Sequence, residues 1–321
     1  MNQTKDSLEP ATRIFVEKIN RESDTPVYKL SPKDACKVLY DLQAAEVAKL
    51  PADIENLTIP VGSEGQVSIR IIRSAGNKEI LPVVMYFHGA GWILGDKDTH
   101  DRLVREIAKG ANAAVVFVNL TLSPEAKYSV QIEEAYAATK YIAENGKEFN
   151  LDTSRLAVAG DSVGGNVAAA VSLLAKERGG PKIVYQVLFY PVTDTNFGAP
   201  SYRKYSTDIW LTREAMKCFW DNYFSEKEAR RQPTAFPLKA SDDQLKGQPP
   251  ALLIIDENDV SRNAVEAYTH KLMQAGVDVV TVRYLGTIHD FVMLNLLGGT
   301  PAACSAIGLA NENLRNIFSR S

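Results

Sequence analysis

Between positions 81 and 318 the chain alternates two patterns. Short, almost unbroken apolar runs give way to stretches where apolar side chains recur every three or four residues. The runs at 83–87, 113–118, 156–159, 183–190, 251–255 and 279–284 predict strands buried on both faces. The stretches at about 98–109, 131–145, 165–177, 263–275 and 301–318 predict the helices between most of them. Strand and helix in alternation predict an α/β fold built on a mostly parallel central sheet with helices on both faces. Before this region the pattern differs. Residues 11–20 carry spaced apolar positions (Ile14, Phe15, Ile19), and Ser31, Pro32 and Asp34 form a helix start ahead of 35–48. Between 54 and 73, Val67, Ile69 and Ile71 alternate with Gln66, Ser68 and Arg70 before a Gly76–Asn77 turn, which predicts a β-hairpin or meander at the sheet edge. The rhythm breaks between Tyr190 and Pro250, where an aromatic-rich helix carries Trp210, Phe219, Trp220, Tyr223 and Phe224. An insertion there would lie over the strand ends as a cap.

With 321 residues and 45% hydrophobic content, the chain can bury one large core, or one core and a small accessory layer. The 36 basic and 39 acidic residues are mixed along the sequence, which argues against a nucleic-acid or anionic-membrane surface. The polar start at 1–10 lacks the apolar segment of a secretory signal, and no apolar run approaches membrane-spanning length. The expected location is cytoplasmic. Cys36, Cys218 and Cys304 are odd in number and widely spaced, so neither a disulfide framework nor a zinc site is expected.

The chemistry centres on Gly160-Asp161-Ser162-Val163-Gly164-Gly165, where a strand runs into a helix. Gly-x-Ser-x-Gly arises easily by chance. At a strand-to-helix corner, however, it describes a nucleophile elbow: glycines two residues either side of Ser162 clear the room for a sharp reversal that exposes the serine hydroxyl. The strand 83–87 runs directly into His88-Gly89-Ala90-Gly91-Trp92. Small residues there let backbone N–H groups converge, as acyl transfer requires for its oxyanion, and the N–H of Val163 would add another donor. A plain turn also fits this loop. A dinucleotide loop does not, because the third glycine, Gly95, comes one residue late and Trp92, Ile93 and Leu94 fill the place of the pyrophosphate.

A nucleophilic serine needs a base, and the sequence has four histidines. His88 precedes the glycine loop, His100 opens a helix and His270 sits within one, so all three read as structural or solvated. His289 lies in a loop after the last strand, at the sheet edge where the elbow opens, and is the candidate base. Asp256, Glu257 and Asp259 follow the strand 251–255, and any of them could orient the imidazole. No histidines are spaced as a helical ligand pair, so no metal is expected, and the chemistry needs no cofactor.

Taken together, His88-Gly-Ala-Gly-Trp92, Ser123-Pro124-Glu125, Gly160-Asp-Ser-Val-Gly-Gly165, Tyr190-Pro-Val-Thr-Asp194 and Ile288-His-Asp-Phe291 resemble the hormone-sensitive-lipase-like branch of the α/β-hydrolase esterases. The resemblance runs from about residue 82 to the C-terminus, and the order Ser162, acid, His289 is that of the α/β-hydrolases. It implies an α/β-hydrolase fold and, through Glu257-Asn-Asp259-Val-Ser-Arg-Asn263, selects Asp259 as the acid. It also implies an oxyanion hole from the N–H groups of Ala90, Gly91 and Val163, with Gly89 as a further donor, and support of that loop by His88 and Glu125. Residues 1–50 and the insertion 195–245 would form the cap over a catalytic core of 51–194 and 246–321. Trp92, Trp210 and Trp220 would be pocket walls. Ala90, Val163, Asn119 and Asn263 depart from the usual pattern, and a branched Val163 beside the hole is expected to narrow the acyl pocket.

The expected function is therefore a serine carboxylesterase acting on small-molecule, short-chain acyl esters, with a homodimer implied by the resemblance. A lactone or amide hydrolase using the same triad is the alternative. A hydrolase fold that binds a ligand without turning it over is a further one.

Overall fold

In a computed structural model, residues 7–22, 25–61, 65–226 and 228–320 are described. The first six residues, on which the expected location partly rests, fall outside that range, as do 23–24 of the N-terminal segment. An eight-stranded sheet runs through the molecule in the order β1-β2-β4-β3-β5-β6-β7-β8. Its strands are β1 (Ala52–Ile59), β2 (Val67–Ser74), β3 (Leu81–Phe87), β4 (Ala114–Asn119), β5 (Leu151–Asp161), β6 (Tyr185–Phe189), β7 (Ala251–Asn258) and β8 (Val279–Ile288). The first two form the expected edge hairpin, antiparallel to each other and, through β2, to β4; all other pairs are parallel.

The central strands are buried on both faces because their side chains alternate between two cores. Val84 and Tyr86 of β3 face one, and Val83, Met85 and Phe87 the other. The first core is closed by α1 (Pro10–Glu22), α2 (Pro32–Gln43), α3 (Asp101–Ala111) and the final helix α10 (Pro301–Phe318). The second is closed by α4 (Val130–Asn145), α5 (Val163–Glu177) and α9 (Arg262–Gln274). Between β6 and β7 lie α6 (Pro200–Lys204), α7 (Arg213–Tyr223) and α8 (Asp242–Leu245).

Local signals set several element ends. Ser31 caps α2 as its sequence predicts, with Oγ accepting the Asp34 N–H at 3.1 Å and Pro32 in the first turn. That helix stops at Gln43 rather than continuing to 48. Asn295 Nδ2 donates to the Gln43 carbonyl at 2.7 Å, and the buried Gln43 side chain donates to the Thr99 carbonyl. A tertiary hydrogen bond thus takes the acceptor that another turn would have used. Strand β5 is longer than expected because Leu151 and Asp152 add a further stretch of pairing with β3, opposite Leu81 and Pro82, ahead of a bulge at 153–155.

The α1 and α7 regions meet. Phe15 packs edge-on against Trp210 with centroids 5.5 Å apart, and Cys218 Sγ contacts the Tyr28 carbonyl. Both stretches lie over the C-terminal ends of the parallel strands, the edge where open α/β sheets build their sites.

Candidate active site

Four loops leave the C-terminal ends of β3, β5, β7 and β8 and converge on Ser162. At the β5–α5 corner Ser162 has φ 54° and ψ −119°, a conformation disfavoured for any residue with a Cβ. The corner fits only because of its glycines. A Cβ on Gly160 would strike the Gly164 carbonyl, and one on Gly164 would strike the carbonyl of Phe87. Close approach of β3 to the start of α5 follows, and it sets the glycine loop beside the serine.

Ser162 Oγ lies 2.7 Å from His289 Nε2, and His289 Nδ1 lies 3.0 Å from Asp259 Oδ2. All three residues are buried, at 4%, 2% and 0% exposure. The three carboxylates after β7, which sequence left open, separate here. Glu257 turns away to accept the Gly286 N–H at 2.9 Å. Asp259 also accepts the Ser261 N–H at 3.0 Å and the Ser261 hydroxyl, so its charge is well solvated by the protein. Asp256 comes within 3.6 Å of the same imidazole nitrogen, yet neither of its oxygens has a hydrogen-bond partner among the described residues. Burial and the neighbouring Asp259 charge push its pKa well above the usual carboxylate range, while His289 and the Ser261 donors outweigh burial and hold Asp259 low. His289 is pushed up to about 9: burial alone would lower it, but the Asp259 and Asp290 carboxylates prevail.

Asp256, Asp259 and His289 are the one group of close potential metal ligands among the described residues. Their closest approach is the Nδ1–Asp259 hydrogen bond, the geometry of an orienting acid on an imidazole. Burial and the Asp259 charge disfavour the ionised form of the orphaned Asp256 that a metal would need.

In the loop after β3, Ala90 and Gly91 both have φ of 70°, in the left-handed region. Together with that of Val163 at the start of α5, their N–H groups find no acceptor among the described residues. Gly89 is a correction to the expected donor set. Its N–H donates to Asp161 Oδ1 at 3.1 Å and is not available to a substrate. The same carboxylate accepts the Tyr86 hydroxyl at 2.6 Å and lies 3.3 Å from His100 Nε2. Asp161 and His100 are both buried, yet each is held in its charged form by the other: Asp161 shifts down and His100 up. His88 stacks on Phe117 with centroids 5.4 Å apart, and burial beside His100 lowers it to about 4, so it supports the loop as a neutral ring.

Glu125 does not support the loop. Its side chain is exposed and makes no hydrogen bond among the described residues, whereas Ser123 N–H and Gln131 Nε2 donate to the Trp92 carbonyl at 2.8 and 3.2 Å. An aligned backbone and a neutral amide do the work expected of a carboxylate.

A cavity of about 70 Å³ opens in front of Ser162, His289, Ala90 and Gly91. Its walls are apolar, with Leu94, Met216, Phe219 and Met293 among them, and Trp210 lines it. Trp92 and Trp220 do not. They pack against each other with centroids 4.5 Å apart, Trp92 stacking on Tyr223 and Trp220 meeting Phe236 at a tilt, within the core under α7. Val163 also points into that core, so its branch does not narrow the cavity. Phe219, which the sequence placed in the aromatic-rich helix but not among the pocket walls, sits against Gly91: a Cβ there would come within 2.7 Å of its ring.

A family model for the alpha/beta hydrolase fold matches residues 84–293. The carboxylesterase NlhH of Mycobacterium tuberculosis is 36% identical over 79% of this chain and 80% of its own. The chain belongs to the α/β-hydrolase family, in its hormone-sensitive-lipase-like branch. Among solved members, a thermostable esterase from Pseudomonas putida ECU1011 superimposes with a TM-score of 0.95 at 45% identity, covering 97% of this chain and 98% of that one. An esterase from Rhizomucor miehei gives 0.90 at 37% identity, covering 98% of each chain. This hydrolase contains no helix, among the described residues, long and apolar enough to cross a membrane.

Proposed function

We propose that this hydrolase is a serine carboxylesterase for small, short-chain acyl esters. Ser162 is its nucleophile, His289 its base, Asp259 the acid that orients the base, and Ala90, Gly91 and Val163 its oxyanion donors. The observation that carries the reading is the 2.7 Å approach of Ser162 Oγ to His289 Nε2 at the floor of an apolar cavity.

With the imidazole proton on Nδ1 and shared with Asp259, Nε2 accepts the Ser162 hydroxyl hydrogen. As Oγ attacks the ester carbonyl, that proton passes to Nε2, and Asp259 stabilises the imidazolium. The carbonyl oxygen gathers charge where the N–H groups of the glycine loop and of the α5 start converge. Nε2–H then protonates the leaving alcohol, and water repeats the sequence on the acyl-enzyme. The cavity volume of about 70 Å³ supports short acyl chains.

The N-terminal segment 1–50 and the insertion 195–245 act as the cap, since α2, α7 and Trp210 contribute walls above Ser162. The balance of 36 basic and 39 acidic residues supports an enzyme with no nucleic-acid partner, and the edge strand β8, with Val280 and Leu285 exposed, supports a homodimer that light scattering would detect.

The test is hydrolysis of nitrophenyl acetate, butyrate, octanoate and palmitate by the native enzyme and Ser162→Ala. Turnover should concentrate on the short chains and fall by about a million-fold in the variant. Activity retained by Ser162→Ala would remove the nucleophile from the scheme.

A further inference from the structure

We propose that Asp290, the residue after His289, holds the water molecule that cleaves the acyl-enzyme. The inference rests on the esterase reading and assigns the second half of its reaction.

Asp290 has φ 67°, which turns its side chain back toward the cavity containing Ser162 and His289. One carboxylate oxygen is tethered: Trp210 Nε1–H donates to Oδ2 at 2.8 Å. The backbone is fixed as well, since the Asp290 carbonyl accepts the Met293 and Leu294 N–H groups, both at 2.9 Å. The other oxygen, Oδ1, is buried and accepts no hydrogen bond among the described residues. It lies 3.7 Å from His289 Nε2. That gap is too long for a direct hydrogen bond; Oδ1 is closed to solvent while Ser162 Oγ sits on Nε2, and a water reaches both atoms when acylation draws Oγ away.

Oδ1 is also distinctive in its surroundings. The cavity is walled by Leu94, Leu211, Met216 and Phe219, and its side-chain oxygen and nitrogen acceptors are those of Ser162, His289 and Asp290. Ser162 and His289 are occupied by the reaction itself. A hydrolytic water held only by Nε2 could rotate about that one hydrogen bond; a second acceptor fixes both hydrogens and leaves a lone pair facing the acyl carbon.

The steps balance. One water O–H donates to Asp290 Oδ1 throughout. The water oxygen bonds to the acyl carbon while its other proton moves to His289 Nε2, and the carbonyl π pair goes to the oxyanion. On collapse the carbon–Oγ bond breaks, Ser162 Oγ takes the proton from Nε2, and the carboxylic acid leaves. In acylation the same position belongs to the leaving alcohol, whose departure needs the Nε2 proton and not the Asp290 acceptor.

The experiment is pre-steady-state and steady-state hydrolysis of p-nitrophenyl acetate by the full chain carrying Asp290→Asn or Asp290→Ala. In Asp290→Asn the Trp210 N–H claims the amide oxygen and turns the NH₂ group into the cavity, a donor where an acceptor is required. On the alkaline plateau, where His289 is neutral in native and variant alike, the expected kcat falls about 10–100-fold, KM falls with it, and kcat/KM stays within about threefold. A burst of nitrophenol should rise toward one per active site as acyl-enzyme accumulates. Asp290→Ala should show the same split. Loss of kcat and kcat/KM together, without a burst, would overturn the proposal, and so would an unchanged kcat. A native enzyme that hydrolyses no ester defeats the esterase reading instead, a result visible before either variant is made.

Discussion

The Asp161 carboxylate accepts the Gly89 N–H across 3.1 Å, tying the loop that follows β3 to the corner that carries Ser162. Ser162 and the loop of Ala90 and Gly91 leave different strands, and this bond fixes their separation. Asp161 Oδ1 also takes the Tyr86 hydroxyl, and His100 supplies its counter-charge. Removing the carboxylate with Asp161→Ala strands three buried donors at once. It should cost about 3–5 kcal/mol in unfolding by denaturant, the range for breaking a buried ion pair from one side. kcat/KM should fall beyond what the lost stability explains, because the loop is no longer held. Tyr86→Phe removes one donor of the three and should cost only about 1–2 kcal/mol. Equal losses in the two variants would mean that the Asp161 charge carries no special weight.

Gly91 and Phe219 give a second test. Gly91→Ala meets two obstacles, a φ of 70° and a ring 2.7 Å from the new Cβ. kcat/KM for nitrophenyl butyrate should fall about 10–100-fold through displacement of the Gly91 N–H. Adding Phe219→Ala removes the second obstacle and leaves the first, so the double variant should regain part of the loss. If Phe219→Ala makes matters worse in both backgrounds, the aromatic ring is itself a needed wall.

These relationships divide sharply into those legible in sequence and those not. The apolar runs placed six strands, five of them because they are buried on both faces; the sixth, β8, proves to be the sheet edge, with Val280 and Leu285 exposed, and the elbow was legible because its glycines answer a steric demand local to the chain. Ser162, His289 and the Asp259 that the resemblance selected lie together in the site, and the structure separates the three carboxylates after β7 by which one meets donors. Gly89 was misjudged because the partner of its N–H lies 72 residues away, on another strand. Trp92 and Trp220 were misjudged because bulk and apolarity require burial without saying in which layer. Glu125 looked supportive by its motif, while the Trp92 carbonyl is satisfied by a backbone N–H and Gln131. Asp161 did carry a signal: an acid between a buried strand and a glycine-rich turn must find buried donors.

The pH dependence follows from His289. Its base form is the neutral imidazole, and Asp259 and Asp290 raise its pKa above the ordinary 6.5, to about 9. kcat/KM should therefore decline as pH falls through that raised value, with an acid-limb midpoint clearly alkaline of 6.5 in a nitrophenyl butyrate profile. Asp259→Asn should cut turnover by about 10⁴, since the imidazole loses both its tautomer and its counter-charge. A native midpoint at or below 6.5 would show that the two carboxylates do not act on the free enzyme as described.

Asp256 supplies the stability test. It is fully buried, lacks hydrogen-bond partners among the described residues, and has a pKa raised far above the 3.8 of a free carboxyl by burial and by Asp259. A carboxyl raised in the folded state costs nothing below its unfolded pKa. Between that value and the folded one, the unfolded chain releases a proton that the folded chain keeps, so folding becomes progressively less favourable as pH rises. Asp256→Asn replaces the neutral acid with a neutral amide of the same shape and removes this penalty. The two proteins should melt at temperatures whose difference is smallest near pH 4 and grows in favour of Asp256→Asn toward pH 8, by about 2–4 °C for each kcal/mol relieved. The reference at pH 4 absorbs any fixed cost of the amide NH₂. Turnover should stay within about threefold, because the group beside His289 was already uncharged. A pH-independent difference would mean that Asp256 is ionised in the folded enzyme, and a large loss of turnover would mean that His289 relies on two negative charges.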